Sequence, residues 1–309
     1  MRVVIIGLGD IARKAYLPVL ANREDLDIFL CSRSTTAVHE IEAQYRFSRG
    51  TTVLADVIHD RPQAAFVLTP KATHYEIIRQ LLEANIDVFV EKPATLRSEE
   101  TLALAELADR RNRVLMVGFN RRFAPLHIKG RDLMAGQTIS LGIFQKNRSG
   151  NEQVSLADQF GEDTIHQIDL LRFYCGEGEV VSTVQHSRDG NLHSATSTIA
   201  LEKGGIALLE TCLQAGGWNE SYNLFGSKQS IFIEAFSSLR MVTPKEEKRW
   251  QESYASNWKT TLEGRGFTGQ INHFLECVQK REQPQTSAWD SVKTQRLVEQ
   301  MIAKATQAE

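Results

Sequence analysis

The sequence predicts two dissimilar halves. The first is an α/β unit built on a doubly wound parallel sheet, spanning residues 1–120. The second is an α+β unit with a large, mainly antiparallel open sheet, spanning 121–309. Three observations carry this reading. Short β-rich runs alternate with helical stretches throughout the first part. Those runs are apolar on both faces, as strands of a sheet covered by helices on both sides must be. Beyond residue 120 the rhythm changes, and strand-like runs follow one another with only short turns between them.

Each element has a local reason. Arg2–Ile6 is a continuous apolar strand, and Ile11–Ala21 reads as a helix that Pro18 kinks or ends. Strands are predicted at Ile28–Cys31, Thr52–Leu54, Ala65–Thr69 (stopped by Pro70), Val88–Val90 (stopped by Glu91-Lys92-Pro93) and Val114–Val117 (closed by Gly118). Helices are predicted at Val38–Tyr45, His74–Ala84 and Glu99–Arg111. In the second half, helices are expected at Pro125–Ala135 and Thr164–Cys175. Strands follow at Ile139–Lys146, Val180–His186, Thr196–Leu201, Ile206–Cys212, Ser221–Phe225, Ser230–Glu234 and Leu239–Val242. Helices return at Gly269–Gln279 and Ser287–Lys304.

Bulk properties narrow the function. At 309 residues the chain exceeds the length of about 250 at which single cores stop growing, so two domains are expected. A net charge of −2 offers no basic stripe for nucleic acid. No run approaches the ~20 apolar residues of a membrane span, and the opening MRVVIIGLGD breaks too early for a secretory leader. Cys31, Cys175, Cys212 and Cys277 form no CxxC pair and no zinc-ligand spacing. They read as reduced thiols of a cytoplasmic protein with no metal.

The chemistry is expected at the carboxyl ends of the first sheet's strands. Gly7-Leu8-Gly9-Asp10-Ile11-Ala12 follows a strand and opens a helix, the context in which a GxGxxA pattern marks a dinucleotide site. Gly7 permits the turn, Gly9 leaves room for a pyrophosphate, and Ala12 lets helix and strand pack closely. The helix amino terminus, with Asp10 and Ile11, faces the phosphates. The second strand ends in Cys31-Ser32-Arg33-Ser34, with no acid to hold a ribose 2′-hydroxyl. Arg33, with Ser32 and Ser34, suits a 2′-phosphate, so NADP is favoured over NAD. Thr69, Pro70 and His74 follow the fourth strand as further candidate cofactor contacts. Thr73 is a candidate cap for the next helix, and His74 could equally be a plain first-turn residue. Glu91 and Lys92 follow the fifth strand, where Lys92 can donate a proton to a substrate oxygen beside a nicotinamide.

In order and spacing, GLGDIA, TPxxxH, EKP and Gly118-Phe119-Asn120-Arg121-Arg122-Phe123 resemble the Gfo/Idh/MocA oxidoreductases over essentially the whole chain. GLGDIARKAYLPVL, GFNRRFAPL and the TLEGRGFTGQINHFLECVQ stretch resemble its MviM-like branch. The resemblance implies a Rossmann half followed by an open-sheet half, association of subunits through that sheet, and hydride transfer between NAD(P) and a hydroxyl carbon of a sugar, cyclitol or polyol. It maps the family's catalytic lysine onto Lys92. Asn120 is a candidate cofactor contact toward the nicotinamide, and Arg121 and Arg122, where the chain leaves the first domain, could bind cofactor or substrate oxygen or tie the domains together.

Glu162-Asp163-Thr164-Ile165-His166-Gln167-Ile168-Asp169 resembles the family's D-x-G-x-H-x-x-D segment. Glu162 stands for the usual Asp and Thr164 for the usual Gly. Positions 162, 166 and 169 share a helix face if the helix starts early enough. His166 and Asp169 are accordingly candidate catalytic residues, and Lys92, Glu162 and His166 candidate substrate contacts. Trp218, Tyr222 and Trp258 are weaker candidates for a sugar site. Two other readings compete with net dehydrogenation: a glycosidase-type enzyme that retains its NAD, and a nucleotide-binding sensor without catalysis, kept open by the two departures at 162 and 164.

Overall fold

The computed structural model describes residues 1–150, 153–252 and 258–308, and the chain divides into two compact units. The first comprises Met1–Phe119 and Phe267–Lys293; the second comprises Asn120–Gly266 and Thr294–Glu309. The carboxy-terminal stretch Phe267–Lys293 therefore groups with the first unit, not with the half that begins at 121. The reason is apolar. Phe274, fully buried, packs edge-on against Phe66 and Phe89 of the first sheet at centroid distances of 5.3 and 5.7 Å.

The first sheet has six strands: β1 (Arg2–Ile6), β2 (Asp27–Cys31), β3 (Gly50–Thr51), β4 (Ala64–Val67), β5 (Asp87–Glu91) and β6 (Leu115–Gly118). Their order is β3-β2-β1-β4-β5-β6, and every pairing is parallel. The order reverses direction beside β1, which opens a crevice at the carboxyl ends of β1 and β4. Val3, Val4, Ile5, Ala65, Phe66, Val88 and Phe89 are all fully buried, as the unbroken apolar runs require. Beyond β6 the chain returns to cover the sheet edge. Thr286 Oγ1 donates to Val117 O at 2.7 Å, and Val117 N donates to Thr286 O at 2.8 Å.

Two local expectations shift. The helix expected over Ile11–Ala21 is a π-turn, Ala12–Tyr16, running into an α segment, Leu17–Leu20, with Pro18 in that segment's first turn. The strand expected at Thr52–Leu54 lies at Gly50–Thr51, and Leu54–Asp60 is a helix instead. The Thr51 hydroxyl accepts from Val53 N at 3.1 Å and donates to Asp56, which ends the strand and ties it to the first turn of that helix.

The second unit is built on nine strands: β7 (Ile139–Ser149), β8 (Gly178–Arg188), β9 (Asn191–Leu201), β10 (Ile206–Cys212), β11 (Gln214–Gly226), β12 (Ser230–Glu234), β13 (Ser238–Val242), β14 (Glu247–Gln251) and β15 (Ala305–Gln307). The order is β14-β13-β12-β11-β7-β10-β9-β8-β15. Among the described residues only the β7–β10 and β8–β15 pairings are parallel, so the sheet is mainly antiparallel, as expected. Helices Pro125–Met134 and Ile165–Cys175 pack on this sheet. Val181, Val184 and Ile206 remain exposed at the surface. No helix among the described residues is long and apolar enough to cross a membrane.

Candidate functional site

The glycine corner forms where β1 meets its helix. Gly7 has φ +93°, and a Cβ there would lie 2.8 Å from the Leu68 carbonyl carbon and oxygen, so the fold itself demands glycine. Gly9 is different. A Cβ there would meet no protein atom within 4 Å, so packing does not require glycine and the space in front of it stays open. Ala12 is fully buried against the sheet. Asp10 points to solvent and pairs with Lys14 at 2.8 Å; neither Asp10 nor Ile11 lines the crevice.

The crevice is a cavity of about 400 Å³ bounded by Gly7, Leu8, Gly9, Cys31, Ser32, Arg33, Ser34, Thr52, Leu68, Thr69, Pro70 and Thr73, among others. No Asp or Glu lies among its lining residues. Arg33 is exposed at its rim. Ser34 Oγ accepts from Ala37 N at 3.2 Å, capping the helix Thr35–Tyr45, so this hydroxyl already has a structural task. Burial first, and then the charge of Asp56, push the Cys31 thiol up to about 11, which keeps this wall neutral. Thr73 Oγ1 donates to Pro70 O at 2.8 Å and shares a hydrogen bond with Thr69 Oγ1 at 2.9 Å, tightening the loop after β4.

His74 is placed for a different job from the cofactor contact expected of it. It is 1% exposed, with Nδ1 2.9 Å from Pro93 O and Nε2 2.8 Å from Thr69 O. Both ring nitrogens are thus engaged by backbone, and the residue ties the loop after β4 to the loop after β5. Burial lowers its pKa against the pull of those carbonyls.

Glu91 ends β5 and Lys92 follows it, two strands from β1 and outside the cavity lining. Glu91 is buried, and its Oε2 accepts from Lys92 N at 3.0 Å. Its Oε1 accepts from the hydroxyl of Tyr16, which in turn accepts from Gln270 Nε2 at 3.0 Å. Lys92 is half-buried and its peptide bond to Pro93 is cis.

In the second unit the pattern residues fall into ion pairs. Asn120 Nδ2 donates to Arg265 O at 2.8 Å. Gly266, with φ +83°, packs so closely that a Cβ would lie 2.1 Å from Asn120 O. Arg121 clasps Glu220 through Nε and Nη2 at 2.6 and 2.8 Å, and Arg122 clasps Asp169 through the same two atoms at 2.8 and 2.5 Å. Asp169 is 1% exposed and also accepts from Thr294 Oγ1 at 3.3 Å. Arg121 and Asp169 are therefore held by protein partners. His166 is buried in the first turn of Ile165–Cys175. Glu162 is exposed in a π-turn, Phe160–Thr164, that precedes that helix and breaks its regular spacing; Thr164 is fully buried. Tyr222 is a core residue whose hydroxyl bonds Glu220 and Gln167, whereas Trp218 and Trp258 are exposed.

Sequence patterns did not single out the charges that dominate this unit. Lys146 on β7 is 1% exposed; its Nζ donates to Asp163 Oδ1 at 2.7 Å and to Asp163 O at 3.2 Å, and lies 4.0 Å from Glu220 Oε2. Asp163 also accepts from Arg148 at 2.9 and 2.6 Å. Burial first, then Arg121, push the Lys146 ammonium down to about 7. Burial works to raise the Glu220 carboxyl, but Arg121 and Lys146 outweigh it and hold it well below the usual range.

Comparison with known proteins agrees with this architecture. Residues 1–119 match the GFO_IDH_MocA model described as "Oxidoreductase family, NAD-binding Rossmann fold", and residues 159–309 match "Oxidoreductase family, C-terminal alpha/beta domain". The chain is 29% identical over 310 residues to the Salmonella typhimurium protein YceM, provisionally named an oxidoreductase, covering 97% of this chain and 96% of that one. It is 25% identical over 249 residues to scyllo-inositol 2-dehydrogenase (NAD(+)) of Bacillus subtilis, covering 72% and 69%. The crystal structure of the dehydrogenase MviM from Clostridium difficile superposes with a TM-score of 0.90 at 24% identity, covering 98% of this chain and 99% of that one.

Proposed function

Because the chain belongs to the Gfo/Idh/MocA oxidoreductase family, we propose that it is an NADP-preferring dehydrogenase or reductase acting on a hydroxyl carbon of a sugar, cyclitol or related polyol. The observation that carries this reading is the open corner at Gly9. A cradle that a Cβ would enter, free of protein atoms, sits beside a cavity without carboxylates, on the same sheet edge as Lys92. The dinucleotide supplies a hydride acceptor or donor at its nicotinamide. Gly7, Gly9 and the loop at Thr69 and Pro70 would hold the diphosphate and adenosine parts. Arg33 and Ser32 would meet a 2′-phosphate. Lys92 takes the hydroxyl proton during oxidation and returns it during reduction. His166 and Glu162 are assigned to substrate by resemblance. Association of subunits through the open sheet belongs to the same proposal.

Two measurements test it. Calorimetry should find NADP(H) bound more tightly than NAD(H), with Arg33→Ala narrowing the gap; equal affinities would remove the preference. NADP with a panel of polyols should raise the reduced-nicotinamide absorbance, and Lys92→Met should lower turnover by about 10²- to 10⁴-fold while leaving cofactor affinity intact. A fully active Lys92→Met protein would reject the assignment.

A further inference from the structure

We propose that Tyr16 and Gln270 are positioning residues for Lys92, acting through Glu91; the inference rests on the assignment of Lys92 as the proton-transfer group. The three side chains form one buried line. Tyr16 and Gln270 are fully buried and Glu91 is 8% exposed. Their proton inventory fixes the direction of the line. An ionised Glu91 carries no proton, so the single hydroxyl proton of Tyr16 points to Glu91 Oε1. The Tyr16 oxygen then accepts from Gln270 Nε2 at 3.0 Å. The other carboxylate oxygen, Oε2, accepts from the backbone N of Lys92 at 3.0 Å.

Glu91 is thereby clamped at both oxygens, one by a side chain from the glycine helix and one by the residue it must place. The Tyr16 ring is itself fixed, with Phe89 and Phe267 at centroid distances of 5.5 and 5.8 Å. Burial, and then the charge of Glu91, hold the Tyr16 hydroxyl protonated well above its ordinary range, so it remains a donor throughout the working pH range. The helix after the glycine corner and the strand end that carries the lysine are thus linked through the Tyr16–Glu91 hydrogen bond.

Tyr16→Phe removes that bond and keeps the ring. The Lys92 amide should then exchange with deuterium at least about tenfold faster, while the strand amides of Val88 and Val90 exchange as before. In turnover, kcat should fall while the KM for cofactor holds. Gln270→Leu should act in the same direction but more weakly, and serves if Tyr16→Phe does not fold. An unchanged Lys92 amide, or acceleration spread over the whole of the first unit, overturns the inference. The parent reading fails separately: an active Lys92→Met protein sinks the lysine's role whatever the exchange data show.

Discussion

Lys146→Met probes the buried charges of the second unit most sharply. Three cations, Arg121, Lys146 and Arg148, meet two carboxylates, Glu220 and Asp163. Each carboxylate already has its own arginine in a two-bond clasp. Lys146 is the surplus cation, and burial with Arg121 takes its ammonium from the ordinary 10.5 to about 7. The unfolded chain keeps that proton up to about 10.5, whereas the folded chain releases it near 7. Between these values the unfolded state binds more protons, so stability rises with pH; below 7 the folded state carries the whole penalty. One proton over the two units from pH 7 to 9 amounts to roughly 2–3 kcal/mol. Methionine has a similar volume and no charge, so the substitution should remove that slope and leave stability at pH 7 unchanged or raised. Urea unfolding at pH 7 and 9, followed by tryptophan fluorescence, measures it, since Trp218, Trp250 and Trp258 all lie in the second unit. Equal slopes in both proteins, or a loss above about 2 kcal/mol at both pH values, would refute the reasoning.

The two glycines of the corner should separate fold from binding. Gly7→Ala meets the Leu68 carbonyl at positive φ and should lower thermal stability by about 1–3 kcal/mol. Gly9→Val should melt like the parent but bind dinucleotide at least about tenfold more weakly, read by calorimetry. Asp169→Asn should destabilise the protein by about 3–5 kcal/mol in urea melts by removing the charge that Arg122 clasps in a buried site; a loss below about 1 kcal/mol would show that the pair is not structural.

Much of the first unit was legible because its signals are local. The apolar runs of β1, β4 and β5 and the glycine corner each lie within a few residues, and their order alone gives a parallel sheet. The EKP turn was legible as a place but not as a machine. Tyr16 and Gln270 are separated by 254 positions, and no period connects them. The second unit hid its chemistry for a related reason. Lys146 is a charged residue on the same strand face as Phe144, and it is buried because the Phe160–Thr164 turn and the helix after it cover that face and bring Asp163 to its ammonium. Asp169 carried a catalytic pattern, yet Arg122, 47 positions earlier, claims its carboxylate. β14, a polar Glu-Lys-Arg-Trp-Gln run, lacks the apolar alternation that marks a strand and exists because β13 offers it a ladder.

The return of Phe267–Lys293 to the first sheet has a practical consequence. A fragment cut after residue 120 would not be a smaller version of the nucleotide half: it would bare Phe66, Phe89 and the Val117 edge to water and strip the Tyr16 hydroxyl of its amide donor. During synthesis the half that begins first must also wait, since its last structural piece leaves the ribosome roughly 150 residues later. Anyone wishing to isolate it should splice residues 267–293 onto residue 119 through a short linker rather than truncate.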